Sequence, residues 1–247
     1  MTTYHGGKKR VGRDIAHEIL DVYHNMPLRK RRQLQGYCEP FVGMCGVMSH
    51  VYPLLSEEDP GLDFLAGDTN GSVIKMWRKA TSQKGWSPPR KCSRKCFDDL
   101  KKDGRETAEK GFIGHVWAYR SKYFVSYFAD AGKGRIEKNR IDVIRIGKTL
   151  RKRRGYPGVK FKKGPYTQFS DLKRHIIYCD PPYQTSHQYY DDTRKQLSFD
   201  HDAFWKWCRK MARRNTVLIS EYSAPEDFRE IWRQKGAKKL IEKLYIV

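Results

Sequence analysis

Hydrophobic positions along the chain recur at the spacings of helices and of buried strands. Apolar residues three and four positions apart predict a helix over residues 13–26, which Pro27 ends. Two compact apolar runs with β-branched residues, HIIYC at 175–179 and TVLISEY at 216–222, predict buried strands.

The same patterns extend the alternation of strand and helix over most of the chain. They predict strands that begin near residues 37 and 62, helices at 72–80, 138–150, 199–214 and 225–235, and a final or edge strand at 238–247. Residues 84–110 contain two adjacent prolines and few aliphatic side chains, so we expect loops there. The aromatic, partly alternating segment 117–129 is compatible with a strand. Together these elements predict an α/β architecture.

Charge is concentrated in one part of the chain. The 247 residues include 50 Lys and Arg against 28 Asp and Glu, a formal net charge of +22. Residues 75–164 hold 27 of the basic and 8 of the acidic residues, with aromatic residues interleaved, and the remainder is nearly neutral. Cations that neutralise phosphates beside aromatic faces that stack on bases predict nucleic-acid binding. The alternative is a solvated surface over a small core.

Composition argues against several other classes of protein. Hydrophobic residues make up 38% of the chain, and no apolar run approaches the ~18 residues of a membrane span. Six cysteines are too few and too irregularly spaced for a disulfide scaffold, and Cys92 and Cys96 lack the further ligands of a zinc site, so no metal is expected. The first residues lack the apolar segment of a signal peptide. We therefore expect a soluble, intracellular protein with free thiols.

Two turns with candidate ligand-binding residues follow the first two predicted strands. Glu39-Pro40-Phe41-Val42-Gly43 enters a glycine turn where a ligand can approach the backbone, or where glycine simply supplies a positive φ. About 25 residues later, Asp68 is placed to bind a ribose diol. Asp68 or Asn70 can also cap the next helix, and both roles are compatible.

Asp180-Pro181-Pro182-Tyr183, directly after HIIYC, carries the strongest chemical signal. The two prolines remove backbone donors and fix the turn. The Asp180 carboxylate and the Pro181 carbonyl are then neighbouring acceptors beside a tyrosine ring. Two acceptors beside an aromatic face suit the exocyclic amine of a planar base. The alternative is a proline-rich turn with a structural aspartate.

In this order the motifs resemble those of the Dam-type, S-adenosylmethionine-dependent DNA adenine-N6 methyltransferases of the alpha group. Tyr4-His5-Gly6-Gly7-Lys8 is similar to the family's N-terminal K-W-x-G-G-K. EPFVG is similar to the first cofactor motif, DPPY to the catalytic motif, and Ser220-Glu221-Tyr222 to a further strand motif. The resemblance covers most of the chain.

The resemblance implies a fold, a cofactor and a set of site residues. It implies a Rossmann-like methyltransferase sheet flanked by helices, formed by residues 1–74 and 146–247, with an inserted basic DNA-recognition subdomain at 75–145. The implied catalytic residues are Asp180, Pro181, Pro182 and Tyr183. The residues that it implies for S-adenosylmethionine are Tyr4, Gly7, Lys8, Glu39, Pro40, Phe41, Gly43, Asp68, Asn70 and Asp180. Candidate DNA-binding residues in the insert are Arg90, Lys91, Arg94, Lys95, Arg120 and Arg135, and the run Arg151 to Arg154 is expected to be solvated and to touch phosphate.

The chain also departs from the family pattern. Cys45 stands at the second glycine of F-x-G-x-G, although Gly46 follows at once, and Thr3 and Tyr4 replace the Lys and Trp of the N-terminal motif. The segment 163–166 lacks the acidic residue that usually contacts the cofactor adenine. Backbone or aromatic groups are expected to replace that contact.

The predicted activity is methyl transfer to N6 of an adenine flipped out of double-stranded DNA. If Asp180 and the Pro181 carbonyl hold both amine protons, the nitrogen lone pair is freed for attack, and positioning supplies much of the catalysis. The alternatives are an RNA adenine methyltransferase and a catalytically silent DNA-binding module on the same scaffold. We expect a monomer or weak homodimer in the cytoplasm of a prokaryote, or a virus-encoded protein in its host cell. A restriction endonuclease partner is compatible with the resemblance.

Overall fold

A central β-sheet organises the protein in a computed structural model that describes residues 8, 10–128, 133–183, 189–190, 196–197, 199–235 and 241–247. Seven strands form this sheet in the order β3-β2-β1-β4-β7-β9-β8. Their bounds are β1 Gly36–Glu39, β2 Asp63–Asp68, β3 Val159–Lys163, β4 His175–Cys179, β7 Thr216–Glu221, β8 Arg229–Lys235 and β9 Ile241–Ile246. A separate antiparallel pair joins β5 Tyr189–Tyr190 to β6 Gln196–Leu197.

Five neighbouring strands of the sheet are parallel, and the last two are antiparallel. β3, β2, β1, β4 and β7 pair in parallel, with Cys38 opposite Leu65 on one side and Ile177 on the other. β9 pairs antiparallel with both β7 and β8. The chain leaves β1 for β2 on one side and reaches β4 on the other, so strand order reverses between β1 and β4. In open α/β sheets, ligands bind outside the carboxyl ends of the strands at such a reversal.

Helices cover both faces of the sheet. One face packs under α8, where Cys38, Ile177 and Ile219 join Phe204 and Trp207. The alternate strand residues face the other helices and the insert. The helices are α1 Gly12–His24, α2 Leu28–Arg32, α3 Met48–Glu58, α4 Gly71–Ala80, α5 Arg94–Lys102, α6 Ala108–Val116, α7 Lys133–Leu150 and α8 His201–Ala212, with short 3-10 turns at Tyr119–Ser121 and Tyr166–Phe169. None of the helices in the described ranges is long and apolar enough to cross a membrane.

The insert shares its hydrophobic core with the sheet. Phe97, Phe112 and Val143 belong to the same buried cluster as Tyr37 of β1 and Phe64 of β2. The predicted boundaries at 75 and 145 fall inside α4 and α7. The insert is therefore continuous with one face of the scaffold, and its role in DNA recognition stays a prediction.

The prediction of loops over 84–110 was wrong, because α5 and the start of α6 lie there. Ser93 and Thr107 cap these helices by accepting hydrogen bonds from Cys96 N and Lys110 N, at 3.1 and 3.0 Å. Ion pairs four residues apart, Arg94–Asp98 and Lys95–Asp99, support α5. In this segment, N-terminal caps and ion pairs support helices that no apolar periodicity indicates.

Two further predictions of secondary structure were wrong. Within 117–128, the described part of the predicted strand, the backbone makes one isolated bridge, Ala118 with Tyr127, and turns at Arg120 and Phe124, which have positive φ. The predicted helix at 225–235 is replaced over Arg229–Lys235 by β8, the edge strand. Pairing with β9 outweighs the local helical preference, since β9 pairs with β8 from Arg229 to Lys235, with one irregularity between Glu230 and Trp232.

Candidate functional site

The turns singled out in the sequence meet at one edge of the sheet, which we call the carboxyl edge. It comprises the carboxyl ends of the parallel strands and the turns that follow them: residues 39–46 at β1, 68–70 at β2, 163–166 at β3, 180–183 at β4 and 221–222 at β7. Parallel pairing of these five strands brings their carboxyl ends together. The reversal of strand order between β1 and β4 puts the glycine turn next to the Asp180 turn.

The glycine turn after β1 is held from two neighbouring elements. Gly43 has φ of +45°, and its carbonyl accepts a hydrogen bond from Trp77 Nε1 of α4 at 2.9 Å. The Asp68 carboxylate accepts hydrogen bonds from Gly43 N at 2.9 Å and Asn70 N at 2.8 Å. Asn70 caps α4 by accepting from Val73 N at 3.1 Å. Asp68 and Asn70 therefore shape the turn, and their contacts with a cofactor stay a prediction.

Cys45 adopts the backbone conformation that the family's glycine would supply. Its φ is +56°, in the left-handed region, and its side chain is fully buried. A left-handed residue with a Cβ costs roughly 1–2 kcal/mol. Cys45 thus maintains the turn with a strained backbone conformation.

We expect Cys45→Gly to destabilise the fold less than Cys38→Gly by about 1–2 kcal/mol. Both cysteines are free and fully buried, so both changes remove the same apolar side chain. Only the change at 45 relieves a positive φ, whereas glycine at 38 weakens β1. Urea unfolding of the two variants measures the difference. Equal losses of stability would contradict a strained turn.

Glu39 ends β1 as a buried carboxyl group beside the glycine turn. Tyr37 Oη donates a 2.7 Å hydrogen bond to Glu39 Oε1, and only 2% of the Glu39 residue surface is exposed. Burial raises the pKa of Glu39 to about 8, opposed by the Tyr37 hydrogen bond and reinforced by the nearby charge of Asp180. Glu39 is thus mostly protonated at neutral pH, and a cationic ligand group at this edge would favour its ionised form.

Glu39→Gln is expected to become more stable relative to wild type as pH rises from 5 to 8. The folded protein holds the Glu39 proton up to its pKa of about 8, whereas the ordinary value is 4.5, so unfolding in this window releases a proton. Rising pH therefore lowers the free energy of unfolding of the wild-type protein by roughly 4 kcal/mol over the window, at about 1.4 kcal/mol per pH unit. Glutamine at position 39 carries no such proton, so the variant does not share this loss. Denaturant unfolding at both pH values measures the change. Glu57→Gln, at an exposed position of α3, is the control, and an identical pH dependence in both variants would contradict a protonated Glu39.

Aromatic rings line the carboxyl edge on the α8 face. Phe41 stacks on Tyr166 with ring centroids 5.6 Å apart and meets Phe199 and Phe204 edge-on. Tyr166 follows β3, in the segment without the expected acidic residue, and it also contacts Trp207. Phe41 and Tyr166 remain partly exposed. Such a cluster offers flat apolar faces to a planar ring.

The turn after β4 forms a charged cluster with Lys8. Lys8 Nζ donates to Asp180 Oδ1 at 2.5 Å and to Tyr183 Oη at 2.6 Å, and lies 3.2 Å from Glu242 Oε1 of β9. Tyr183 Oη in turn donates to Glu242. The Asp180 side chain is 19% exposed, so a ligand can reach it, whereas the Lys8 side chain is 6% exposed. One cation is thus held between two carboxylates.

Opposing charges set the protonation of this cluster. Burial raises the pKa of Asp180 to about 6, the charge of Lys8 opposes this rise, and the charge of Glu242 adds to it. Burial disfavours the Lys8 ammonium, but the charges of Asp180 and Glu242 outweigh this effect and raise the pKa of Lys8. At neutral pH the cluster therefore holds an ionised Asp180 beside a charged Lys8.

The two prolines leave backbone acceptors at the turn. His201 Nε2, at the start of α8, donates to the Pro182 carbonyl at 2.8 Å. Within the described residues, the Pro181 carbonyl accepts no hydrogen bond. The Tyr183 ring packs edge-on against Tyr222, with centroids 4.7 Å apart, and under Lys8 Nζ at 4.6 Å. Tyr183 is mostly buried, so its contacts with Lys8, Tyr222 and Glu242 hold the cluster together.

Sequence reasoning missed Glu242, His201 and Tyr37. Each makes a hydrogen bond to a predicted site residue: Glu242 to Tyr183, His201 to Pro182, and Tyr37 to Glu39. Of the predicted residues, Pro40 is buried behind the glycine turn. Tyr4 and Gly7 lie outside the described residues.

The predicted DNA-binding residues of the insert differ in their availability. Arg90, Lys91 and Arg120 are exposed. Arg94 and Lys95 are 73% and 86% exposed but pair with carboxylates of their own helix. Arg135 Nη2 instead donates to the Val116 carbonyl at 2.9 Å, and burial lowers the pKa of Arg135. Arg135 therefore holds the insert together, and little of it is free to reach a base.

Comparisons with known proteins give no family assignment. No protein-family model matches the chain, and no curated protein matches it. Among the residues that the structure describes, no group of three or more His, Cys, Asp or Glu side chains is arranged to hold a metal ion.

Proposed function

We propose that this protein transfers a methyl group from S-adenosylmethionine to N6 of an adenine that has been flipped out of double-stranded DNA. The observation that carries the proposal is the Asp180 turn. An ionised, partly exposed carboxylate and a neighbouring proline carbonyl lie at the carboxyl edge, at the reversal of strand order. A planar base with an exocyclic amine offers two N–H donors to these two acceptors.

The residues at this edge fit S-adenosylmethionine. Phe41 and Tyr166 offer aromatic faces for its adenine, in place of the absent acidic contact. The buried carboxyl group of Glu39 suits a ligand that carries positive charge, because such a ligand favours its ionised form. The positive φ of Gly43 lets the backbone turn beside the ligand. S-adenosylmethionine, when bound, would supply an electrophilic methyl group; the methyl–sulfur bond breaks as the nitrogen–carbon bond forms, and S-adenosylhomocysteine leaves with the bonding electron pair.

The chain's own residues then act on the amine. The Asp180 carboxylate and the Pro181 carbonyl each accept one N–H of the adenine amine, which localises its lone pair for attack on the methyl group. Lys8 keeps Asp180 ionised, because its charge opposes the effect of burial. After the nitrogen–carbon bond forms, the nitrogen is positive and loses a proton, for which the Asp180 carboxylate is the nearest acceptor. Much of the rate then comes from holding the reacting groups in place.

Incubation with S-adenosylmethionine carrying a labelled methyl group tests the proposal directly. Duplex DNA, single-stranded RNA and duplex RNA are offered in parallel, and the nucleosides are then separated. We expect the label to appear in N6-methyl-2′-deoxyadenosine obtained from duplex DNA. If label enters RNA but not DNA, the substrate is RNA. Absence of label from every substrate, in protein shown to bind the cofactor by calorimetry, would favour a silent binding module.

A further inference from the structure

The opposite edge of the sheet concentrates positive charge that the linear sequence disperses. Parallel strands bring their amino ends together just as they do their carboxyl ends. Short basic runs precede four of the five parallel strands: residues 29–32 before β1, 151–154 before β3, 173–174 before β4 and 213–214 before β7. We call these twelve Lys and Arg residues the amino-edge surface.

Backbone hydrogen bonds join the segments before β1, β4 and β7 side by side. Gln35 N donates to the Arg174 carbonyl at 2.7 Å, and Arg174 N donates to the Arg214 carbonyl at 2.7 Å. Asp63 N donates to the Gln35 carbonyl at 2.9 Å, which attaches the loop before β2. These bonds fix the backbone at the starts of β1, β2, β4 and β7 in a constant order, so a bound polyanion does not have to order that backbone.

A shallow cavity, wide open to solvent, extends the surface at the β3 end of this edge. It measures about 750 Å³ and is lined by Pro60, Gln83 and residues 151–157. Arg151 Nη1 donates to the Gln83 carbonyl at 3.0 Å, and Gln83 Nε2 donates to the Lys152 carbonyl at 3.0 Å, which fixes its wall. The Arg153 guanidinium lies 4.5 Å from the centre of the Tyr156 ring. The cavity therefore combines cations with an aromatic face, far from Asp180.

Several cations of the insert are neutralised by carboxylates, whereas in the described part of the chain those of the amino-edge surface are not. In the insert, Lys79, Arg94, Lys95, Arg105 and Arg140 pair with carboxylates. Within the described residues, none of the twelve amino-edge cations takes part in an ion pair, and nine of them are exposed. The carboxylates nearby are fewer: Glu57, Glu58, Asp59, Asp63 and Asp171, of which Glu58 pairs with His24 and Asp63 with Lys160.

We propose that the amino-edge surface binds the phosphate backbone of a second segment of double-stranded DNA, without reading its bases. Neighbouring strands lie about 4.8 Å apart, so the row from β3 to β7 spans about 19 Å. That is the axial length of about six base pairs at 3.4 Å each. Fixed, unpaired cations over such a length match a regular row of phosphates.

This surface is separate from the proposed methyl-transfer site. The five residues of β4, at about 3.3 Å each, put the two edges roughly 15 Å apart. They also face in opposite directions, so a duplex that reaches Asp180 leaves the amino edge free. Binding here would keep the protein on DNA while the carboxyl edge engages an adenine.

A quadruple variant tests the contribution of charge. Arg32→Gln, Lys152→Gln, Lys173→Gln and Arg213→Gln together remove four exposed cations. Binding to a 30-base-pair duplex of arbitrary sequence is measured across a series of salt concentrations. The slope of log K against log salt should become shallower by about 3–4, at about 0.9 for each phosphate contact. The matched control keeps every charge with Arg32→Lys, Lys152→Arg, Lys173→Arg and Arg213→Lys, and should bind like wild type. An unchanged slope in the glutamine variant overturns the proposal.

Chemical footprinting of the wild-type protein tests the location without any mutation. Lysine side chains are acylated with and without the same duplex, and the modified positions are identified by mass spectrometry. Lys30, Lys152 and Lys173 should be protected by DNA, whereas Lys206, exposed on α8, should react as before. Full reactivity of Lys152 and Lys173 at saturating DNA overturns the proposal.

Binding to lipid vesicles tests whether the surface binds an anionic membrane rather than DNA. Wild type and the quadruple variant are compared for binding to vesicles of phosphatidylserine and phosphatidylcholine. If the variant loses vesicle binding but keeps its affinity for duplex DNA, the surface binds lipid and the proposal is wrong. None of these measurements needs cofactor or methyl transfer. Their failure therefore leaves the proposed activity untouched, and an inactive protein can still show this binding.

Discussion

Replacing Asp180 with asparagine is expected to lower the rate of methyl transfer by about 10³-fold or more. The amide keeps the shape of the side chain but loses the negative charge and adds an N–H group. In the proposed complex that group would face the amine instead of accepting from it. Affinity for S-adenosylmethionine should stay within about tenfold of wild type, roughly 1.4 kcal/mol, because Asp180 acts mainly on the amine.

Single-turnover methylation and calorimetry of cofactor binding measure the two effects of Asp180→Asn separately. Asp171→Asn is the matched control, because Asp171 is exposed and precedes the amino end of the same strand, β4. The control should methylate at the wild-type rate. Turnover by Asp180→Asn at that rate would contradict the proposed mechanism. A large loss of cofactor affinity would show instead that Asp180 binds the cofactor.

The elements that the sequence predicted well are those whose periodicity is set by burial. All five residues of HIIYC are buried in β4, and the apolar face of residues 13–26 became the buried face of α1. Apolar area removed from water contributes about 25 cal/mol per Å², which decides the secondary structure of such segments. The α/β architecture with a mostly parallel sheet follows from these elements.

The elements that the sequence did not predict depend on partners far along the chain. Residues 229–235 form β8 because β9 lies beside them, with Glu230 paired to Lys243 across the two strands. β9 itself lies between β7 and β8, inside the sheet, although it is the last element of the chain. No local pattern within either segment records that pairing.

The same limit applies to the candidate site. Motifs indicated Asp180, Tyr183 and Lys8, because each belongs to a short sequence with its own local geometry. They did not indicate that Lys8 and Asp180, 172 residues apart, form an ion pair, or that Glu242 completes the cluster. Glu242 lies in the cluster because β9 pairs antiparallel with β7, where Lys243 is opposite Glu221. Its only signal in the sequence is a single carboxylate among the apolar residues and lysines of the predicted final strand.

Replacing Lys8 with methionine is expected to shift the pH dependence of methyl transfer to higher pH. In wild type, activity should rise as pH passes the Asp180 pKa of about 6, since the carboxylate must be ionised to accept from the amine. Burial raises this pKa, and the charge of Lys8 opposes the rise. Without Lys8, no cation separates the partly buried carboxylates of Asp180 and Glu242, and the pKa of Asp180 rises further.

The rate of Lys8→Met at pH 7 should therefore fall about tenfold or more, and part of it should return at pH 9, because a lost neighbouring charge is worth about one to three pH units. Rates of methylation measured from pH 5 to 9 at saturating cofactor and DNA give both midpoints. Lys8→Arg, which keeps the charge, should retain a midpoint near that of wild type, and Lys206→Met, at an exposed position of α8, controls for the loss of a lysine. A simple structural role for Lys8 would lower the rate equally at every pH. If the midpoint of Lys8→Met stays where it is in wild type, Lys8 does not hold the charge of Asp180.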